Sequence, residues 1–254
     1  MRKQQQIMAF YISRTLLLAV CWGMACVCYA QTARQQAISE LNKLTARYRS
    51  SDHLSFNIDY RYALENKPAV FLDSLKGSFK MHGLSYWYAI DSTEAVVGKD
   101  YTVMLFKEDR IMYLVKPSSA MPDKNPLSMP DSTWLASDEV KCSIDVLEHE
   151  KKITLEFNPG KGCKRIEYYI SKRTGMVNRI LSYVPAAGLF DPEVRPTVQP
   201  SDYGIVEMKF SNYKEKSFDG SILNMATYFR KEGNEFVTSS PYEPYKIFLG
   251  NPNL

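Results

Sequence analysis

Large apolar and polar side chains alternate along Leu75–Pro117, a pattern that predicts a meander of antiparallel strands. Successive side chains of a strand point to opposite faces, so one face of the meander should be apolar and the other wet. The predicted wet face carries Lys76, Ser78, Lys80, His82, Ser85 and Lys107. The predicted apolar face carries Phe79, Met81, Tyr86, Tyr88, Ile90, Thr102, Met104, Phe106, Ile111, Tyr113 and Val115. What covers this apolar face is the question that decides function.

The segment Gln31–Ser51 has a helical period and predicts an amphipathic helix. Thr32 and Gln35 fit a capping box, in which two side chains satisfy backbone amides at the start of a helix. One face of the helix collects the apolar residues Ala37, Ile38, Leu41, Leu44 and Tyr48. The period then changes to two, because apolar side chains alternate with polar ones at Leu54, Phe56, Ile58, Tyr60 and Tyr62. A half-buried strand should therefore follow the helix directly.

The rest of the chain predicts more strands and two proline-rich loops. The strands are expected at Lys141–Leu147, Lys152–Phe157, Cys163–Ile170, Met176–Val184, Ile205–Phe210, Ser221–Phe229 and, as an edge strand, around Tyr245–Leu249. The prolines of Pro117–Asp138 and Pro185–Pro200 exclude a central strand there, because proline removes a ladder donor. The first loop also holds Met129, Trp134 and Leu135, and such apolar residues indicate a lid over an apolar surface.

These elements predict a mainly β (α+β) protein, with residues 31–254 forming a single domain. One helix of about eighteen residues spans only ~27 Å, which is too short to cover about eleven strands. The sheet must then pack its own side chains into a filled core or curl into an open, incomplete barrel. The residues alone leave both solutions open.

Residues 1–30 predict a secretory signal peptide, cleaved after Ala30. Arg2, Lys3 and Arg14 give a basic start, and an apolar run leads to a small residue at the cleavage site. The apolar run is shorter than the ~20 residues that a spanning helix needs. We therefore expect an exported protein, in the periplasm, with an extracellular or a lipid-anchored form through Cys26 as the alternatives.

Charge and chemistry narrow the classes of function. The chain has 32 basic and 28 acidic residues, and loss of the signal peptide removes three basic ones. A nearly neutral chain without a basic run argues against nucleic acid as partner. The three histidines, His53, His82 and His149, have no metal-ligand spacing, and no phosphate loop or nucleophile elbow is present. We therefore expect no catalytic residue, no metal and no cofactor, and a protein that is not an enzyme.

Two cysteines, Cys142 and Cys163, remain after signal cleavage. In an oxidising compartment they are a candidate disulfide, which would stabilise the fold by about 3 kcal/mol. Two separate buried thiols are the alternative, since a hairpin between the cysteines could place them on strands that are not neighbours.

The order of elements resembles a known family. A signal peptide, an amphipathic helix and a long alternating strand are followed by Gly77-Ser78-Phe79, Tyr86-Trp87-Tyr88 and an apolar hairpin over Tyr101–Val115. The later hairpin Ile166–Leu181 and the strand at Val206–Lys214 continue the pattern. This order is similar to that of the periplasmic carriers of outer-membrane lipoproteins, whose LolA-like fold is shared with envelope sigma-factor regulators.

The resemblance implies a single curled antiparallel sheet that forms an incomplete barrel, covered by the N-terminal helix and the proline-rich lid loops. By position, its concave, ligand-binding face would be lined by Phe56, Ile58, Tyr60, Phe79, Tyr88, Met104 and Tyr113. The implied function is a non-enzymatic carrier for lipid, lipoprotein acyl chains or another apolar ligand, in transient contact with a membrane-bound donor or acceptor. The alternative is an envelope sensor or assembly module of the same fold that binds a protein partner.

Overall fold

A computed structural model describes residues 33–116, 135, 139–158, 160, 162–189 and 202–250. The chain begins there with an α-helix, α1, over residues 33–49. Fourteen strands follow: β1 His53–Leu64, β2 Lys67–His82, β3 Ser85–Ile90, β4 Thr93–Val97, β5 Thr102–Phe106, β6 Ile111–Val115, β7 Val140–Val146, β8 Glu150–Phe157, β9 Arg165–Ser171, β10 Val177–Pro185, β11 Tyr203–Lys214, β12 Phe229–Glu232, β13 Glu235–Thr238 and β14 Lys246–Leu249.

Twelve of these strands form one sheet, in the order β14-β6-β5-β4-β3-β2-β1-β11-β10-β9-β8-β7. The sheet is curled but does not close into a barrel, since β14 and β7 remain its two ends. The predicted fold class, a mainly β protein with one large open sheet and an N-terminal helix, is confirmed. The predicted edge strand is β14, and it runs parallel to β6, whereas the other strand pairs are antiparallel.

Helix α1 packs against one face of the sheet, here called the inner face. Its predicted apolar residues Ala37, Leu41, Leu44 and Tyr48 are buried among side chains of β1, β2 and β8–β11. The Tyr48 hydroxyl accepts a hydrogen bond from the Val177 amide at 3.2 Å and lies 3.1 Å from the Tyr213 hydroxyl. Each large side chain buried here contributes about 2 kcal/mol to stability, and the hydrogen bonds fix where the helix ends on the sheet.

The opposite, outer face of the meander is apolar, which corrects the prediction of a wet face. Its buried side chains alternate with the inner ones and are Trp87, Val96, Val103, Leu105, Met112 and Leu114. Strands covered on both faces read as continuous apolar runs, and Thr102–Phe106 and Ile111–Val115 are such runs. Only β2 and the strand ends place the predicted polar residues on this face.

The C-terminal segment, residues 215–250, covers this outer face. It forms short 3-10 turns at Gly220–Leu223 and Met225–Thr227 and the β12–β13 hairpin, so the predicted strand Ser221–Phe229 is wrong. The Asp219 and Asn224 side chains accept hydrogen bonds from the amides two residues ahead, which stabilises turns instead of a strand.

A buried carboxylate, Glu94 of β4, ties the C-terminal segment to the meander. It accepts a hydrogen bond from Trp87 Nε1 at 2.6 Å and forms an ion pair with Lys107 Nζ at 3.0 Å. The hydroxyl of Tyr228, which is 1% exposed, lies 3.4 Å from the same carboxylate and donates to the Ile222 carbonyl at 2.8 Å. Each polar group in this interface therefore has a partner, as burial requires.

Candidate functional site

Part of the inner face is not covered by α1. The inner positions of β3–β6 follow from the strand register, in which Phe79, Tyr88, Ala95, Met104 and Tyr113 lie side by side across the sheet. The row continues into Phe248 of β14. Most outer positions of β3–β6 are buried, whereas many inner ones stay partly accessible. Eight of the accessible inner residues are here called the apolar strip: Tyr60, Tyr88, Ile90, Met104, Phe106, Ile111, Tyr113 and Phe248.

Aromatic contacts organise the strip. Tyr113 stacks on Phe248 at 5.5 Å between ring centroids and meets the edge of the Phe106 ring at 6.1 Å. Tyr113 is 38% exposed and Phe248 43% exposed, although both are large aromatic side chains on a sheet face. On the other side of the strip the Tyr88 ring stacks at 6.4 Å on buried Tyr86. The side chains of the strip are therefore held in place by contacts with one another, while the surface that faces away from the sheet remains partly accessible.

The strip is uncharged. Every inner position of β3–β6, all within the described chain, holds an apolar, threonine or tyrosine side chain. Burial, with smaller effects from Tyr62 and Tyr88, raises the pKa of Tyr60 to about 12. Burial also raises the pKa of Tyr88. These phenols therefore stay neutral at physiological pH, and the surface offers dispersion contacts and a few hydroxyl groups rather than ionic ones.

A glycine shapes the border between the strip and the filled core. Gly77 of β2 lies at an inner position between Ile58 and Ile90 in the register. A Cβ atom here would lie 3.1 Å from the Ala89 carbonyl oxygen and 3.2 Å from Ile90 Cγ1. The absence of a side chain thus lets Ile90 lie close over β2, which keeps the apolar surface continuous from β3 to β2.

The structure divides the predicted ligand-binding residues into two groups. Phe56, Ile58 and Phe79 are at most 2% exposed and lie in the core under α1, with Phe56 and Phe79 stacked at 4.8 Å. The other four belong to the strip: Tyr60, Tyr88, Met104 and Tyr113. Period-two alternation places Ile90, Phe106 and Ile111 on the same face. Phe248 had no such signal, because its parallel pairing with β6 joins distant parts of the chain.

The predicted lid is described only at Leu135. This residue is 1% exposed and packs into the core beside α1. Met129 and Trp134 lie outside the described residues, as do most of the two proline-rich stretches.

The candidate disulfide is absent, and both cysteines are free thiols. Cys142 of β7 pairs with Leu155 of β8, and Leu155 pairs in turn with Ile166 of β9. Cys163 lies before β9, with its thiol 3.3 Å from the Arg165 and Tyr183 carbonyl oxygens. A whole strand therefore separates the cysteines, about 10 Å, and a disulfide requires Cα atoms within about 7 Å.

Charged groups elsewhere on the sheet are paired with one another. On the outer face of β8–β11, Glu167 lies 3.0 Å from Arg165 Nε and accepts a hydrogen bond from the Tyr169 hydroxyl at 2.8 Å. The Arg179 guanidinium stacks on the Tyr169 ring at 3.9 Å. Within the described ranges no three His, Cys, Asp or Glu side chains gather as metal ligands could. None of the helices in those ranges is long and apolar enough to cross a membrane.

The chain matches no protein-family model and no curated protein. Among solved structures it is similar to an uncharacterized conserved protein from Thermus thermophilus, at 9% identity and a TM-score of 0.45, over 85% of this chain and 98% of that one. A MucA/MucB complex from Pseudomonas aeruginosa is similar at 13% identity and a TM-score of 0.40, over 80% and 63%. A LolA superfamily protein from Nitrosomonas europaea is similar at 8% identity and a TM-score of 0.30, over 76% and 97%.

The predicted resemblance to the lipoprotein-carrier fold is thus confirmed as a likeness of architecture. Identities of 8–13% and TM-scores of 0.45 or less describe a weak likeness of fold, and no function follows from it. We therefore derive the function from the surfaces of this chain.

Proposed function

We propose that the protein is an exported, non-enzymatic binding protein or carrier that holds an apolar ligand, a lipid or the acyl chains of a lipoprotein, against the apolar strip. The observation that carries this proposal is the uncharged, partly exposed inner surface of β3–β6, which Phe248 of β14 extends and Lys246 borders. Binding sites for apolar ligands are concave, mainly hydrophobic and aromatic, with few polar groups. The strip has this composition and lies on the inner face of a curled sheet.

The difference in burial between the two faces of the meander favours a binding surface over a core that is simply poorly packed. The C-terminal segment fully covers the outer face of the meander, with Val96, Val103, Leu105, Met112 and Leu114 at 0% exposure. The same strands leave Tyr113 accessible on their inner face. Soluble monomers rarely expose contiguous apolar surface unless it binds something. An acyl chain is the simplest occupant, because it needs no charged partner.

Native mass spectrometry of the protein purified without detergent tests the proposal. We expect a stoichiometric mass excess that organic extraction identifies as a lipid or fatty acid. The variants Met104→Asp and Tyr113→Asp place a charge on the strip and should lose this mass, while circular dichroism reports an intact sheet. The control Ser78→Asp lies at a partly exposed outer position of β2 and should retain it. A chain that carries no ligand and takes up no fatty acid would refute the proposal.

A second candidate, binding of a protein partner, is favoured by one feature. Strand β7 ends the sheet, and β8 is its one strand neighbour in the described chain. Beside this edge Val146 is 68% exposed and Leu147 40% exposed. An extended peptide could add to such an edge. Affinity capture should then recover one stoichiometric partner that Val146→Asp releases and added fatty acid does not.

A further inference from the structure

Three tyrosines lie on the inner face where the apolar strip borders β1 and β2. Tyr60 and Tyr62 are successive inner positions of β1, and Tyr88 is an inner position of β3. Gly77 of β2 lies midway between Tyr60 and Tyr88 in the register and contributes no side chain between the two rings. Burial raises the pKa of Tyr60 to about 12, and the nearby phenols of Tyr62 and Tyr88 add to the shift. The three phenols therefore lie near one another at a single corner of the inner face.

The fold makes no use of the hydroxyl groups of these three tyrosines. Elsewhere in the described chain, three other tyrosines each donate a hydrogen bond to a protein oxygen at 2.8 Å: Tyr169, Tyr213 and Tyr228. Among the described residues no group is hydrogen-bonded to the hydroxyl of Tyr60, Tyr62 or Tyr88, and all three residues are partly accessible. A tyrosine can place its ring in an apolar wall and present its polar end to a ligand. These hydroxyl groups are therefore available to a molecule that lies on the inner face.

A carboxylate lies at the same corner. Asp73 is exposed and pairs across the strands with Tyr62, whose pKa is raised by burial and, to a smaller extent, by this carboxylate. The Ser74 amide donates a hydrogen bond to one Asp73 oxygen at 2.7 Å, and a carboxylate has further acceptor sites. A carboxylate accepts hydrogen bonds from hydroxyl groups and repels a second negative charge. The corner thus suits an uncharged group with hydroxyls better than an anion.

The strip gives an acyl chain a direction away from this corner. From β3 the strip crosses β4, β5 and β6 to Phe248 of β14, a distance of about 19 Å at the usual spacing of strands. A chain that starts at the tyrosines can therefore lie extended on apolar side chains. Lys246 of β14 borders the opposite end of the strip.

We propose that Tyr60, Tyr62, Tyr88 and Asp73 form a head-group subsite that selects an acyl ligand with an uncharged, hydroxylated ester head, an acylglycerol, over one with an anionic head; this inference rests on the proposed function. The phenols donate hydrogen bonds to the ester oxygens, and Asp73 accepts hydrogen bonds from the hydroxyl groups of the head. A head that cannot make these bonds leaves polar groups of the subsite unpaired, which lowers its affinity. A cationic head would gain only an exposed ion pair with Asp73, which contributes little.

Displacement of a bound fluorescent fatty acid from the mature chain tests the subsite at neutral pH. The competitors are 1-monooleoylglycerol and oleic acid, which carry the same acyl chain, and monooleoylglycerol should act at about tenfold lower concentration. Tyr60→Phe and Tyr88→Phe each remove one hydroxyl group and should weaken monooleoylglycerol about fivefold, the effect of one hydrogen bond. Tyr203→Phe is the matched control, because Tyr203 lies at an outer position of β11, and it should leave both competitors unchanged.

A change of charge tests the role of the carboxylate separately. Asp73→Asn removes the negative charge but keeps an acceptor oxygen, so oleic acid should bind about threefold more tightly while monooleoylglycerol changes little. Asp59→Asn makes the same change on the outer face, where Asp59 pairs with Lys76 and Lys209, and should alter neither affinity.

The outcomes separate this inference from the proposed function. Equal displacement by the two competitors, unaffected by Tyr60→Phe and Asp73→Asn, would overturn the head-group subsite alone, because both would still bind the strip. So would a loss of monooleoylglycerol affinity in Lys246→Met that Tyr60→Phe does not share, because the head would then lie at β14. A chain that binds neither the fluorescent fatty acid nor either competitor would instead contradict the proposed function.

Discussion

Tyr60 lies where the filled core meets the open strip. It pairs with Leu75 on one side and Met208 on the other. Its side chain is partly buried and packs against the core cluster. Its neighbours along β1, Phe56 and Ile58, are covered by α1. A single strand thus passes from packed interior to proposed ligand surface within four residues.

The phenol of Tyr60 should make stability depend on alkaline pH. Burial raises its pKa from 10.0 to about 12, so the folded state holds the proton more tightly than the unfolded chain. This contribution is complete below pH about 10 and is lost as pH rises through about 12. Tyr60→Phe removes this titration. The unfolding free energy should therefore fall less steeply between pH 10 and 12, by the slope that the release of about one proton produces. Urea unfolding across this range measures it, and identical slopes in both chains would contradict the assignment.

At the residue scale, the sequence could predict on which face of the sheet a side chain lies, but not how deeply it is buried. Alternation correctly placed Phe56, Phe79, Tyr88 and Tyr113 on one face. It could not separate the first two from the last two, because α1 comes from elsewhere in the chain and covers only part of the sheet. The separation of Cys142 from Cys163 by β8 likewise depends on strand order.

At the scale of elements, the C-terminal segment determines which face of the meander stays open. Tyr228 and Phe229 pack on the outer side with Trp87, and β14 then reaches the inner side with Phe248. The same segment therefore closes one face and extends the wall of the other.

Removal of residues 217–254 should expose the outer face of the meander. Val103, Leu105 and Leu114 are at 0% exposure and would meet water, which costs about 2 kcal/mol for each large side chain. We expect a lower unfolding midpoint and strong binding of an apolar dye. Leu84→Ser is the control, since Leu84 is 94% exposed at the β2–β3 turn, and it should change stability by less than about 0.5 kcal/mol. An unchanged midpoint after truncation would contradict this role.

The sequence contained a signal that the outer face of the meander is buried, but no signal for the segment that buries it. The runs Thr102–Phe106 and Ile111–Val115 are apolar at almost every position, which is typical of strands buried on both faces. The alternation of apolar and polar residues was used to identify one apolar face, and the opposite face was therefore predicted to be solvent-exposed. The turns at Asp219 and Asn224 depend on local side-chain hydrogen bonds, which strand propensity ignores.

At the scale of the whole molecule, one curled sheet carries surfaces of three kinds. Helix α1 fills the centre of its inner face, the C-terminal segment covers the outer face of one half, and paired charges cover the outer face of the other half. The apolar strip is the part of the inner face that these elements leave accessible. The open sheet and its helix could be predicted from element count, because so short a helix cannot cover so many strands.

The most direct test of ligand binding on the strip uses a tryptophan as a contact probe. Tyr113→Trp places an indole on the strip, and Leu84→Trp places one at the exposed β2–β3 turn. A fatty acid brominated along its chain quenches an indole that it touches. We predict saturable quenching of the added fluorescence in Tyr113→Trp, abolished by Met104→Asp, and none in Leu84→Trp. Equal quenching of the two probes, or none at position 113 while fatty acid is bound, would contradict the account.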